Sequence, residues 1–134
     1  MITTVTAQRA RVFAEPANAL ELIHWLRASD DEGRTGSLAW VVMPDHLNWM
    51  FVLGSTSLET VVRTMKSRAA KAMNQRRGSR GPVWQPGYYD QLQRNEKQWR
   101  SEALYILANP VRAALAEALD EYPYAWCRWP VAGP

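Results

Sequence analysis

At 134 residues, 47% of them hydrophobic, and a net charge of only +3, the chain can bury one real core and calls for no second domain, so a single domain over 1–134 is expected. Its apolar runs break within about ten residues, too short for a bilayer, and the start Met1-Ile2-Thr3-Thr4-Val5-Thr6 lacks the charged and apolar regions of a signal peptide. One cysteine, Cys127, excludes an internal disulfide and a multi-thiolate zinc site, so a soluble, cytoplasmic protein with Cys127 in a packing role is expected.

Residues 2–8 alternate weakly and are rich in Thr and Val, which suits a first strand. Pro16 at a first helical position, followed by Leu20, Ile23, Trp25 and Leu26, predicts a helix over 16–28. His24 lies on it alone and is read as packing or capping. The polar, glycine-bearing stretch 29–36 ends the helix. Between 37 and 54 two nearly continuous apolar runs flank Pro44-Asp45, a turn pair, so a β-hairpin at the centre of the sheet is predicted. Thr56-Ser57-Leu58-Glu59 has capping-box spacing. Leu58, Val61, Val62, Met65, Ala69, Ala72 and Met73 then recur at helical spacing, which predicts an amphipathic helix over 57–75. A flexible basic loop, 75–82, follows.

Val83 to Gln91 reads as an irregular edge strand, because Pro86-Gly87 cannot sit inside a ladder. Asn95 can cap a helix running to about Ala108, and Pro110 sets Asn109 as a break before a last helix whose apolar face is Val111, Leu115 and Leu119. Tyr122-Pro123 ends it, and the tail from Tyr124 to Pro134 is expected to wrap the surface without regular structure. Strand, helix, two strands, helix, strand, helix is the order of an α+β, ferredoxin-like domain: an antiparallel sheet with helices mainly on one face and the other face free for a nucleic acid.

Three groups of residues carry chemistry. In a strand, His46 and Asn48 point the same way while Leu47 points to the other face. Two polar side chains abreast serve equally as metal ligands or as a half-solvated strand face. Tyr105 and Asn109 share one face of a helix, one turn apart. Tyr88 and Tyr89, beside Trp84, are read as stacking or packing groups instead. Finally, no acid stands between Glu59 and Asp90, whereas Arg63, Lys66, Arg68, Lys71, Arg76, Arg77 and Arg80 do, a field that attracts a polyanion or simply solvates a helix.

Met43-Pro44-Asp45-His46-Leu47-Asn48 resembles the Met-Pro-Asp-His-hydrophobic-His signature of single-strand DNA transposases with a tyrosine nucleophile, in particular the REP-associated tyrosine transposases. The basic helix from Met65 to Arg77, the stretch Val83-Trp84-Gln85-Pro86-Gly87-Tyr88-Tyr89-Asp90, and Tyr105-Ile106-Leu107-Ala108-Asn109-Pro110-Val111-Arg112 are similar to that family in the same order. The resemblance spans 38–123 and implies a ferredoxin-like fold with Tyr105 as the nucleophile. It implies a divalent cation on His46, Asn48 and Asn109, a hard, oxygen-rich set suited to Mg²⁺ or Mn²⁺. The implied partner is a hairpin-forming single-stranded DNA, cut through a 5′-phosphotyrosine with a 3′-hydroxyl leaving; neither a membrane nor a small-molecule cofactor is implied, and the chain is expected as a monomer or homodimer. Arg63, Lys66, Arg76, Arg77 and Arg80 are the expected phosphate contacts, with Trp84 and Arg94 as stacking or positioning groups. The second histidine of the signature is Asn48 here. That residue separates two readings, an active single-strand endonuclease and strand transferase, and a relative that binds structured DNA or RNA without cleaving it.

Overall fold

A computed structural model describes residues 1–130. In chain order it contains β1 (Ile2–Val5), two 3₁₀ turns (Ala7–Arg9 and Val12–Ala14), α1 (Pro16–Asp31), β2 (Thr35–Met43), β3 (His46–Leu53), α2 (Leu58–Arg77), β4 (Tyr89–Asp90), α3 (Glu96–Leu107), α4 (Asn109–Arg112) and β5 (Ala125–Cys127). All strand pairings are antiparallel, in the order β4-β1-β3-β2-β5. The first four strands are therefore arranged as in a ferredoxin-like sheet, with β5 added at the edge of β2. Among the described residues no helix is long and apolar enough to cross a membrane.

The hairpin forms because its two apolar runs alternate around a two-residue turn, and the alternation sorts them between two cores. Trp40, Val42, Leu47 and Trp49 face α1 and α2, meeting Leu22 and Leu26 of the first and Val61, Met65 and Met73 of the second. Val41, Met43 and Met50 face the other way and are covered by Ala103, Ile106 and Leu107 of α3. A bulge between Ser37 and Ala39 turns both Leu38 and Ala39 toward this second core. The sheet face expected to be open thus carries α3, the helix that holds Tyr105.

Local departures from the sequence reading have local causes. The N-cap of α2 is Ser57, whose hydroxyl accepts from the Thr60 amide at 3.2 Å; Thr56 is one residue too early to reach it, and its Oγ1 is buried without a partner. The predicted strand 83–91 is reduced to Tyr89–Asp90 and an isolated bridge between Trp84 and Thr6, because Pro86-Gly87 interrupts the ladder. The last helix is a single turn. Ala114 takes a left-handed φ of 59°, and the chain turns back so that Tyr122 Oη donates to the Val42 carbonyl at 2.7 Å and the Val42 amide donates to the Tyr124 carbonyl at 2.8 Å. A longer helix would carry the chain away from that open edge. The tail, expected without regular structure, instead supplies β5, with Ala125, Trp126 and Cys127 opposite Val41, Trp40 and Ala39; its last four residues, 131–134, lie outside the described residues.

Candidate active site and nucleic-acid surface

One half of the site is built on β3. His46 and Asn48 project from the α3 side of the sheet, opposite to Leu47 and Trp49. His46 Nδ1 lies 2.7 Å from Asp45 Oδ1, so this nitrogen donates to the carboxylate, and Nε2 makes no hydrogen bond among the described residues. Arg9 grips the same carboxylate, Nη2 to Oδ2 at 3.1 Å. Partial burial alone would push the Asp45 carboxyl up, but the hydrogen bond and electrostatic pull of the adjacent His46, together with the Arg9 guanidinium, outweigh it and hold the group below the ordinary carboxylate range. Arg9 reaches Asp45 from a strained turn. Gln8 and Arg9 both take left-handed backbone (φ 56° and 51°), at about 1–3 kcal/mol each. The turn is held by Thr6, whose hydroxyl donates to the Ala10 carbonyl at 2.7 Å and whose amide donates to the Asp45 carbonyl at 3.0 Å. Asn48 is only 7% exposed, and its Oδ1 accepts from Thr3 Oγ1 at 2.8 Å, the two residues facing each other in the β1–β3 register.

The other half is built on α3 and α4. Asn95 caps α3 by accepting from the Gln98 amide at 3.0 Å, and Ala103, Ile106 and Leu107 fix which side faces the sheet. Tyr105 therefore points outward and is 60% exposed. Asn109 opens α4 one turn further on, where Pro110 suits the start of a new helix. Arg112 completes this half. Its guanidinium lies 4.2 Å from the centre of the Tyr105 ring, Nη2 donates to the Tyr105 carbonyl at 2.9 Å, and the same nitrogen donates to Asn109 Oδ1. Sequence reasoning missed Arg112, Asp45, Arg9 and Thr3. Arg112 carried a usable signal, its position three residues after Asn109 on a helical turn, and so did Asp45, which stands in the signature stretch directly before His46.

Both halves occupy one sheet face, yet among the described residues no hydrogen bond joins them. His46 Nε2 and two carboxamide oxygens have the right donor chemistry for a hard divalent cation. In this arrangement they do not fit one. Asn48 Oδ1 is already taken by a hydroxyl donor and Asn109 Oδ1 by a guanidinium, whose positive charge opposes a second cation. Nor do the described residues contain a cluster of three or more His, Cys, Asp or Glu suited to a metal.

No protein-family model matches the chain. Over 89 residues it is 27% identical to a REP-associated tyrosine transposase of Escherichia coli (strain K12), a match covering 65% of this chain and 51% of that protein. The chain thus spans about half the length of the curated relative it matches. Its fold is similar to that of a REP-associated tyrosine transposase solved bound to a REP hairpin, with a TM-score of 0.73 and 23% identity, covering 92% of this chain and 73% of that one. The chain resembles the REP-associated tyrosine transposases in sequence and in fold. A structure described as a candidate transposase from Deinococcus radiodurans R1 shares the fold less closely, with a TM-score of 0.57 and 21% identity over 78% of this chain and 85% of that one.

On a REP-associated tyrosine transposase fold the expected DNA contacts divide into two sets. Arg63, Arg77, Arg80 and Arg94 are exposed and make no ion pair among the described residues. Arg77 and Arg80 flank a cleft of about 320 Å³ shared with Gln8, Asn74 and Ser79. Gly78 makes this geometry available: its left-handed φ of 64° ends α2 and turns the basic loop back over the first 3₁₀ turn.

Lys66, Arg76 and Trp84 differ from expectation. Lys66 Nζ donates to the carbonyls of Gln85 (2.9 Å) and Gly87 (2.8 Å), pinning the loop before β4, and burial holds its ammonium below the ordinary lysine range. Arg76 is tied to α1 through Glu21 Oε1 at 3.1 Å and through Asn18 Oδ1. Trp84 is 7% exposed in the core with its Nε1 donating to the Lys66 carbonyl at 3.1 Å, so it offers no face to a base.

Proposed function

We propose that the chain is a single-stranded DNA endonuclease and strand transferase of the REP-associated tyrosine transposase type, acting on hairpin DNA through a 5′-phosphotyrosine. The observation that carries this reading is Tyr105: an exposed phenol, one turn from Asn109, beneath an arginine, on the helix that covers the sheet face from which His46, held at Nδ1 by Asp45, projects. In the reading, the Tyr105 oxygen attacks the scissile phosphorus, a P–Oη bond forms, and the bond to the 3′ oxygen breaks. The phenol proton is lost to water and the departing oxygen takes one up as a 3′-hydroxyl. Unassisted phenol, near pKa 10, is a poor nucleophile, so the charge on the phosphoryl oxygens must be compensated by neighbouring groups. Arg63, Arg77, Arg80 and Arg94 hold the DNA backbone and fix its register. No step is routed through Mg²⁺ or Mn²⁺, because the carboxamide oxygens that would hold the ion are engaged.

A second reading, a relative that binds structured single-stranded DNA or RNA without cutting it, is favoured by the Thr3–Asn48 bond, which makes Asn48 a strand-pairing residue. Incubation with a REP-type hairpin oligonucleotide followed by a denaturing gel separates the two. The first reading expects a covalent protein–DNA band that disappears in Tyr105→Phe. A band that persists in that variant, or no band from the parent protein, overturns it.

A further inference from the structure

We propose that Arg112 is the anion-binding cation of this site: its guanidinium receives the DNA phosphate presented to Tyr105 and supplies there the positive charge that a divalent ion would otherwise supply. The inference rests on the reading of Tyr105 as the residue that meets the scissile phosphate. Three observations carry it. The guanidinium lies over the Tyr105 ring, 4.2 Å from its centre, so a phosphate brought to the phenol also meets Arg112. It is exposed and makes no salt bridge among the described residues, so its charge is not cancelled by an acid. And it occupies Asn109 Oδ1, one of the oxygens a metal would need, as Thr3 occupies Asn48 Oδ1.

The chemistry suits the role. A guanidinium carries five N–H donors in a fixed fork that matches a phosphate, and Arg112 spends Nη2 on the Tyr105 carbonyl and Asn109, which leaves Nε and Nη1 unused. The two bonds it makes hold the fork in place, so little rotamer freedom is lost when the anion arrives. Asn109 then acts as the positioning residue for Arg112, whose guanidinium in turn lies over the Tyr105 ring.

The test is a titration of the full chain with a hairpin oligonucleotide bearing a single-stranded flank, in EDTA and again in Mn²⁺. It is followed by the Arg112 Nε–H and Tyr105 ring NMR signals, with covalent adduct scored on the same samples. The expected result is that both signals shift in EDTA. Arg112→Gln should weaken binding about tenfold or more, the size of one charge-assisted hydrogen bond, and Arg112→Lys should recover part of it. Binding by Arg112→Gln within about twofold of the parent, or parent binding that appears only with Mn²⁺, overturns the inference. If the Arg112 dependence holds while no adduct forms, the anion site stands and the endonuclease reading falls. If adduct forms equally in Arg112→Gln, the endonuclease reading stands and the anion site falls.

Discussion

The strand half and the helix half of the site are built on opposite principles. His46 and Asn48 stand on the central hairpin, with His46 Nδ1 and Asn48 Oδ1 already partnered and the second core of the sheet beside them. Tyr105 and Arg112 stand at the exposed end of α3 and on a one-turn helix, held mainly by each other. The difference teaches where adjustment is available. Groups on the strand are fixed by register and by partners far along the chain, whereas those on the helix end are fixed by one another and open to solvent; in the proposed reading the strand half therefore orients and the helix half meets the DNA.

The largest effect that would sharpen this contrast is on stability. Trp49, fully buried beneath the strand half, should cost about 3–5 kcal/mol on Trp49→Ala in urea unfolding, while Leu104→Ala, on the exposed side of α3, should stay within about 0.5 kcal/mol. Comparable losses would break the comparison.

Asp45 gives a pH signature for the strand half. Its folded carboxyl is held below the ordinary range, so its contribution to stability is present above the unfolded value, about pH 4, and is lost as pH falls through the lower folded value. Asp45→Asn should flatten the acid limb of a stability-versus-pH curve relative to the parent. An unchanged acid limb would mean that the Arg9–Asp45–His46 contacts contribute nothing.

The basic surface offers a parallel contrast between exposed and committed arginines. Arg77→Ala with Arg80→Ala should weaken hairpin DNA binding for matched and scrambled sequences alike and reduce the salt slope by roughly 2. Arg76→Ala should leave the slope nearly unchanged and lower stability by up to about 1 kcal/mol through loss of Glu21 and Asn18. The reverse pattern would return Arg76 to the DNA surface.

What could be read from the sequence was local. Pro44-Asp45 marked the hairpin, strand alternation put His46 and Asn48 on one side, and Asn95 and Pro110 bracketed the helix that carries Tyr105. What could not be read were partners far along the chain: Thr3 for Asn48, Glu21 for Arg76, and Gln85 and Gly87 for Lys66. Charge runs report that a cation is present and say nothing of which acid or carbonyl already holds it. The strand β5 was hidden for a related reason, since three residues among aromatics and prolines pair only because the edge of β2 is open.

The smallest expected effect concerns Asn48 itself. Asn48→His should raise Mn²⁺ affinity measured by calorimetry, because imidazole is a stronger donor to first-row ions than a carboxamide oxygen already bonded to Thr3, with metal-free DNA binding almost unchanged. Tight Mn²⁺ binding by the parent protein, equal to that of the variant, would show that Asn48 can exchange Thr3 for the ion.

The division of labour between the two halves is tested most directly by mapping the covalent product. After incubation with a hairpin oligonucleotide, nuclease trimming and proteolysis, mass spectrometry should find the nucleotide remnant on the peptide that carries Tyr105. A remnant on Tyr88 or Tyr89, or none on any tyrosine while the DNA is nicked, would contradict the account.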